Sequence, residues 1–145
     1  MLTTSDLTSP IYAQAVALRT AVFIQEQGIA AELELDDLEA SCVHMLLAAP
    51  DAPMTALACC RVHALGEGVL KVQRVAVPLA QRGRHYGVRL MQEVAQWARA
   101  QGYTQLVLGA QTSVLGFYQN LGYEVTSAPY LSVGLWHQDM ALRLD

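Results

Sequence analysis

The chain has 145 residues, a length that favours one domain spanning 1–145, and carries a net charge of −4. Apolar residues make up 53% and charged residues 15%, which excludes a disordered chain and provides enough apolar surface for a core. No apolar run reaches the roughly 20 residues of a membrane helix. Met1-Leu2-Thr3-Thr4-Ser5-Asp6 shows no signal peptide, and an acidic balance with a single lysine disfavours nucleic acid. Cys42, Cys59 and Cys60 are odd in number and suit neither a disulfide framework nor a metal site. They read as reduced core residues of a cytoplasmic protein that holds no metal. Charge is uneven: Glu26, Glu32, Glu34, Asp36, Asp37 and Glu39 cluster in one segment, whereas Lys71, Arg74, Arg82, Arg84 and Arg89 cluster in another. The first segment reads as a field that attracts cations, the second as a place for anions.

Ser9-Pro10 is a helix start, with Ser9 as N-cap, and the spacing of Ala15, Leu18 and Val22 predicts a helix over 10–26 that Gly28 ends. Residues 28–41 are acidic and irregular, with one short helical turn. Strands follow at 43–48, 54–63 and 69–77, the first two separated by a Pro50–Pro53 turn and the last two by a Gly66-Glu67-Gly68 hairpin loop. Loop 78–84 leads to a helix at 85–101, whose stripe of Val88, Leu90, Met91, Val94, Ala95, Trp97 and Ala98 has helical period. Gly102 stops it. Leu106–Leu108 is a buried strand of parallel type. A short helix spans 112–121, a strand starts at 123–125, and Met140–Leu144 alternates as a final edge strand. Helix, antiparallel strands and then strand–helix–strand–helix–strands make an α/β sandwich around a mixed sheet.

The segment Val75–Gly87 carries the clearest chemistry. An apolar strand runs through an Arg/Gly-rich loop into a helix, and a helix N-terminus presents backbone N–H groups and a positive dipole end to an anion. Arg82 and Arg84 add charge suited to a phosphate.

Val75-Ala76-Val77 followed by Arg82-Gly83-x-x-Tyr86-Gly87 resembles the acetyl-CoA-binding motif of the GNAT (GCN5-related) N-acetyltransferases, Q/R-x-x-G-x-G/A. Gln111-x-x-Val114-x-x-Phe117-Tyr118-x-x-Leu121-Gly122-Tyr123 is similar to the family's second signature. Leu18-Arg19-x-x-Val22-Phe23-x-x-Glu26-Gln27, the acids from Glu32 to Asp37 with His44, and Gly134-x-x-His137-x-x-Met140 resemble its YjcF/ElaA-like branch. The resemblance covers about residues 18–144. It implies the GNAT acyl-CoA N-acyltransferase fold, α/β, with a mixed, mostly antiparallel sheet of about six to seven strands flanked by helices. It also implies acetyl-CoA as co-substrate, held by Val75, Ala76, Val77, Arg82, Gly83, Arg84, His85, Tyr86, Gly87 and Gln111. Four positions depart from the pattern. Gln111 stands where asparagine is common and keeps both donor and acceptor. His85 replaces the middle glycine and keeps its backbone N–H for the ligand if it starts the helix with right-handed angles. Gln73 stands where relatives often carry a glutamate, so no catalytic base is expected there. Trp136 replaces a proline before His137.

The resemblance implies transfer of an acetyl group to a primary amine of a small acceptor by direct attack, and the acidic 26–39 segment points to a cationic one. A backbone N–H on Val75–Val77 polarises the thioester carbonyl, and that strand diverges from its neighbour to leave an edge that pantetheine fills. Tyr118 protonates the leaving thiolate. For the base that takes the amine proton, Glu26, Glu34, Asp36, His44 and His137 are candidates, with Glu34 and His137 foremost. A histidine titrates in the right range unaided, and His44 could face the sheet's cavity. The alternative is a non-catalytic acyl-CoA sensor on the same fold. A dinucleotide-binding domain is disfavoured because no G-x-G-x-x-G turn follows a first strand. Partners are then the small amine, no nucleic acid, no membrane and a homodimer as the common assembly.

Overall fold

The computed structural model describes residues 1–145. Eight strands form one sheet: β1 (Leu2–Thr4), β2 (Val43–Ala49), β3 (Thr55–Gly66), β4 (Val69–Ala76), β5 (Gln105–Gln111), β6 (Glu124–Val125), β7 (Tyr130–Ser132) and β8 (Leu135–Arg143). Their order is β1-β2-β3-β4-β5-β8-β6, with β7 also paired to β8. All pairings are antiparallel except β4 with β5. The expected mixed, mostly antiparallel sheet is present, enlarged by the three-residue strands β1 and β7, which are too short to show a period. Met140–Leu144 is not an edge strand. β8 begins at Leu135 and lies between β5 on one side and β6 and β7 on the other.

Helix α1 (Pro10–Arg19) starts as its sequence dictates: Ser9 Oγ accepts from the Ile11 N–H at 3.2 Å and Pro10 occupies the first turn. The predicted single helix to residue 26 is not uniform. From Thr20 to Glu26 the backbone widens to a π-helix. The added residue per turn lets the consecutive Val22 and Phe23 both bury. Gly28, at φ +72°, ends the run. A short helix α2 (Ala31–Glu34) follows.

Helix α3 (Tyr86–Ala100) lays Leu90, Met91, Val94 and Ala98 against Met45, Val62, Leu70 and Val72 in the larger core. Helix α1 and the π-helical turn pack on the opposite face, where Ala15, Leu18, Val22 and Phe23 meet Leu46, Cys59 and Ala76. Alternation along β2 explains this: Met45 and Leu47 belong to the first core and Leu46 to the second. The three cysteines are free and buried. No helix is long and apolar enough to cross a membrane. A short helix α4 (Leu115–Asn120) follows β5 through one turn of 3₁₀ geometry and sets Tyr118 against the larger core.

Candidate active site

The parallel β4–β5 ladder has three pairs, Val69 with Gln105, Leu70 with Leu106 and Lys71 with Val107. Beyond them the strands separate, each held only from its outer side, β4 by β3 and β5 by β8. β4 also carries a bulge, because three of its steps, Gln73 to Ala76, oppose two of β3, Arg61 to Cys59. The extra residue is absorbed at Arg74, whose φ is +56°. The separation opens a cleft of about 610 Å³ lined by Val72–Val77 from β4, Leu108–Gln111 from β5, Phe23 and Glu26 from the π-helical turn, and Tyr118, Tyr130 and His137. The divergence follows from tertiary pairing and has no local sequence signal.

Tyr118 is buried, edge-on to Phe117 at 4.9 Å and Tyr123 at 5.7 Å between ring centroids. Burial, with a smaller contribution from Cys60, pushes its phenol well above the ordinary 10.0. The hydroxyl therefore stays protonated at neutral pH, as a proton donor must.

The anion loop adjoins the cleft at the end of β4. Val75, Ala76, Val77, Arg82 and Gln111 line the cleft, whereas Gly83, Arg84, His85, Tyr86 and Gly87 form the loop and first turn of α3 beside it. His85 is not right-handed: it caps α3 at φ +64°, ψ 20°, where a glycine would sit without strain. Gly83 is also left-handed, at φ +78°. Alternation of this kind curls successive N–H groups towards one point. No side chain caps α3 and no acid occupies its first turn, so its leading N–H groups are open to an anion. Gly87 permits the close approach of Phe117, since a Cβ there would lie 3.2 Å from the Phe117 ring.

The loop arginines differ. Arg82 is engaged within the protein: its Nε donates to Val77 O at 3.0 Å and its terminal nitrogens to Glu26 at 2.7 Å each. Arg89 pairs with Glu93 one turn along α3. Arg84 is exposed and has no ion-pair partner. Gln111 donates to Gln27 Oε1 at 3.1 Å across the cleft mouth. These residues fit a diphosphate-bearing acyl carrier lying between β4 and β5.

The acidic segment is not the free cation-attracting field that its composition suggests. Glu34 and Glu39 are buried with Arg19 and Arg61, whose fractional exposures are 1% and 0%. Arg19 donates to Glu34 at 2.7 Å and to Glu39 at 2.8 Å, and Arg61 donates to Asp36 at 2.8 Å and also pairs with Glu39. Arg74 reaches Glu34 at 2.9 Å and Asp36 at 3.3 Å. Three guanidinium groups thus meet three carboxylates. Burial alone would raise Glu39, but the hydrogen bonds from Arg19 and Tyr12 hold it below the usual carboxylate range. Burial wins at Glu34 and lifts it despite Arg19 and Arg74. Glu34 lines the cleft, yet its oxygens are committed to arginines. One signal was available in the sequence: Arg61 interrupts an apolar strand, and a buried charge needs partners. Gln73 joins the same cluster, its Oε1 accepting from Arg61 Nε at 3.1 Å.

His44 does not face the cleft. It is fully buried against Tyr12, at 4.7 Å between ring centroids, and its Nε2 lies 2.9 Å from Glu39 O. His137 does line the cleft. Its Nδ1 lies 2.9 Å from Leu135 O, to which it donates, leaving Nε2 as the free acceptor. Its ring stacks on Tyr130, which composition and motif did not single out. The Tyr130 hydroxyl donates to Asp139 at 2.6 Å and passes over Gly109, where a Cβ would come within 2.6 Å of it.

A bulged β4 diverging from a parallel β5, with an uncapped helix N-terminus at its end, defines an acyl-CoA-dependent acyltransferase fold. The sequence profile of the acetyltransferase (GNAT) domain matches residues 22–144, and the chain belongs to this family. It is similar to the uncharacterized N-acetyltransferase YjcF of Bacillus subtilis, with 30% identity over 87% of this chain and 88% of the relative. The crystal structure of an acyl-CoA N-acyltransferase from Pseudomonas aeruginosa superposes with a TM-score of 0.81 at 27% identity, covering 97% of this chain and 99% of that one. Escherichia coli ElaA superposes with a TM-score of 0.80 at 26% identity, covering 94% and 93%. The protein is an acyl-CoA-dependent acetyltransferase.

Proposed function

We propose that the chain moves the acetyl group of acetyl-CoA to a primary amine of a small molecule by direct attack within the cleft. Acetyl-CoA supplies the acyl group as a thioester. The observation that carries this reading is the separation of β4 from β5 beyond Lys71 and Val107, with Tyr118 in the wall of the gap. Backbone N–H groups of Val75–Val77 are suited to stabilise the oxyanion. Tyr118, held protonated by burial, gives its proton to the departing sulfur. His137 Nε2, free on the cleft wall, takes the proton from the amine. Glu34 supports the site from beneath by tying Arg74, at the bulge, to Arg19. Arg84, the loop from Gly83 to Gly87 and the first turn of α3 receive the diphosphate. The free, buried cysteines accord with a reducing, cytoplasmic setting.

Thiol release from acetyl-CoA in the presence of an amine panel tests this. Tyr118→Phe is expected to lower kcat about 10²-fold with little change in CoA affinity. CoA binding with no transfer to any amine would replace the reading with that of an acyl-CoA sensor, and an unchanged rate in Tyr118→Phe would remove Tyr118 as the acid.

A further inference from the structure

Lys71 is the only lysine of the chain, and it lines the cleft at the point where β4 and β5 part. The other charged side chains of the lining are matched: Glu26 with Arg82, and Glu34 with Arg74. Lys71 has no carboxylate within 4 Å and no hydrogen bond, although it is half-buried. Its ladder neighbours are His63 and Val107, and neither supplies an anion.

The side of the sheet on which it lies is equally informative. Leu70 and Val72 pack into the core beneath α3, so alternation directs Lys71 to the opposite face. That face carries the π-helical turn and α2, whose Phe23, Leu33 and Glu34 also line the cleft. The anion loop belongs to α3 and begins after β4 ends. Lys71 is six residues from Val77, roughly 20 Å by strand rise, so it is not part of the diphosphate site. It is four residues from Val75, roughly 13 Å, a gap that its flexible four-carbon stem shortens towards the reacting centre. The cleft lining is mixed and offers apolar side chains, among them Phe23, Ile29, Leu33 and Val133.

We propose that Lys71 anchors an acceptor carboxylate, and that the acceptor is an apolar amino acid or a comparable amine-bearing carboxylic acid rather than a polycation. This rests on the acetyl-transfer reading above. An unmatched, half-buried ammonium in a cleft with apolar side chains on its walls repels a second cation and gains a charge-assisted hydrogen bond from a carboxylate. The ammonium binds the acid, and the acceptor's own amine, in its neutral form, is left for the reaction.

The test compares matched acceptors: phenylalanine, phenylalaninamide and phenethylamine, then leucine, leucinamide and isoamylamine, with spermidine as a polycation. With acetyl-CoA and the wild-type protein, the acids are expected to exceed their amides in kcat/KM by about tenfold or more, the worth of one charge-assisted pair, chiefly through KM. Lys71→Met should reduce that acid-to-amide ratio towards one, and Lys71→Arg should keep it. Equal or better use of amides or spermidine, or an acid-to-amide ratio unchanged in Lys71→Met, overturns the proposal. Calorimetric binding of N-acetylphenylalanine to the CoA-saturated protein separates the two readings. Lys71-dependent binding without turnover of any amine supports the anchor and removes acetyl transfer, whereas turnover without acid preference removes the anchor alone. Absence of both Lys71-dependent binding and turnover overturns both.

Discussion

Arg82 and Glu26, fifty-six residues apart, hold each other in a two-pronged pair with both N···O distances at 2.7 Å. The pair joins the end of the π-helical turn to the anion loop and consumes the charge of the arginine that the motif assigns to a phosphate. Binding a diphosphate there sets the ligand in competition with Glu26. Exposed pairs of this kind are weak, so Glu26→Gln is expected to tighten CoA binding about two- to fivefold by calorimetry. Unchanged or weaker binding would show that Arg82 is a strut for the loop and not a phosphate ligand.

His85 sits at φ +64° where its Cβ is disfavoured by about 1–2 kcal/mol. Replacement by glycine removes that strain, and the greater freedom of glycine in the unfolded chain offsets part of the gain. His85→Gly should raise stability by about 0.5–1 kcal/mol in urea denaturation. It should also retain CoA binding, because the backbone N–H remains. A destabilised variant would mean that the imidazole makes a contact that compensates for the backbone.

Glu34 and His137 separate by phenotype. Removing the Glu34 charge leaves Arg19 and Arg74 underpaired in a buried site, and losses of about 3 kcal/mol are usual for such a change. Glu34→Gln is therefore expected to melt well below wild type. His137→Gln should fold as wild type yet lose about 10²-fold in kcat. If Glu34→Gln kept its stability and lost its rate, the base assignment would pass to Glu34.

Stability should fall on mild acidification through His44. Burial depresses its pKa below the ordinary 6.5, partly offset by the hydrogen bond to Glu39 O. Nδ1 is buried without a partner, so a proton there has no acceptor. The folded state thus binds the proton less readily than the unfolded chain. The contribution is complete above pH 6.5 and is lost as pH falls towards the folded value. Urea midpoints at pH 7.5 and 5.5 should differ more in wild type than in His44→Gln, which cannot titrate. Asp36 and Glu39 have lowered values and lose their contributions only at lower pH, below the carboxylate range. Glu34, with a raised value, acts in the opposite sense and is common to both proteins. Equal slopes would exclude His44.

The sequence determined what local rules can determine. Ser9-Pro10 sets the start of α1, the apolar stripe sets α3, the Gly66–Gly68 turn sets the β3–β4 hairpin, and the strand–loop–helix order sets the anion loop. These depend on capping, period and turn chemistry, all within a few residues. Tertiary structure decided the rest. Whether Glu34, Asp36 and Glu39 form an acidic face or a neutral cluster depends on Arg19, Arg61 and Arg74 arriving from α1, β3 and β4. Whether β4 and β5 stay paired depends on how long each is held from its other side. His44 and His137 have the same chemistry in sequence, yet one is sealed behind Tyr12 and the other opens onto the cleft, because a side chain's role is set by which elements pack over it. Lys71, a lone lysine in sequence, became the unmatched charge of the cleft only when the fold paired every charge around it.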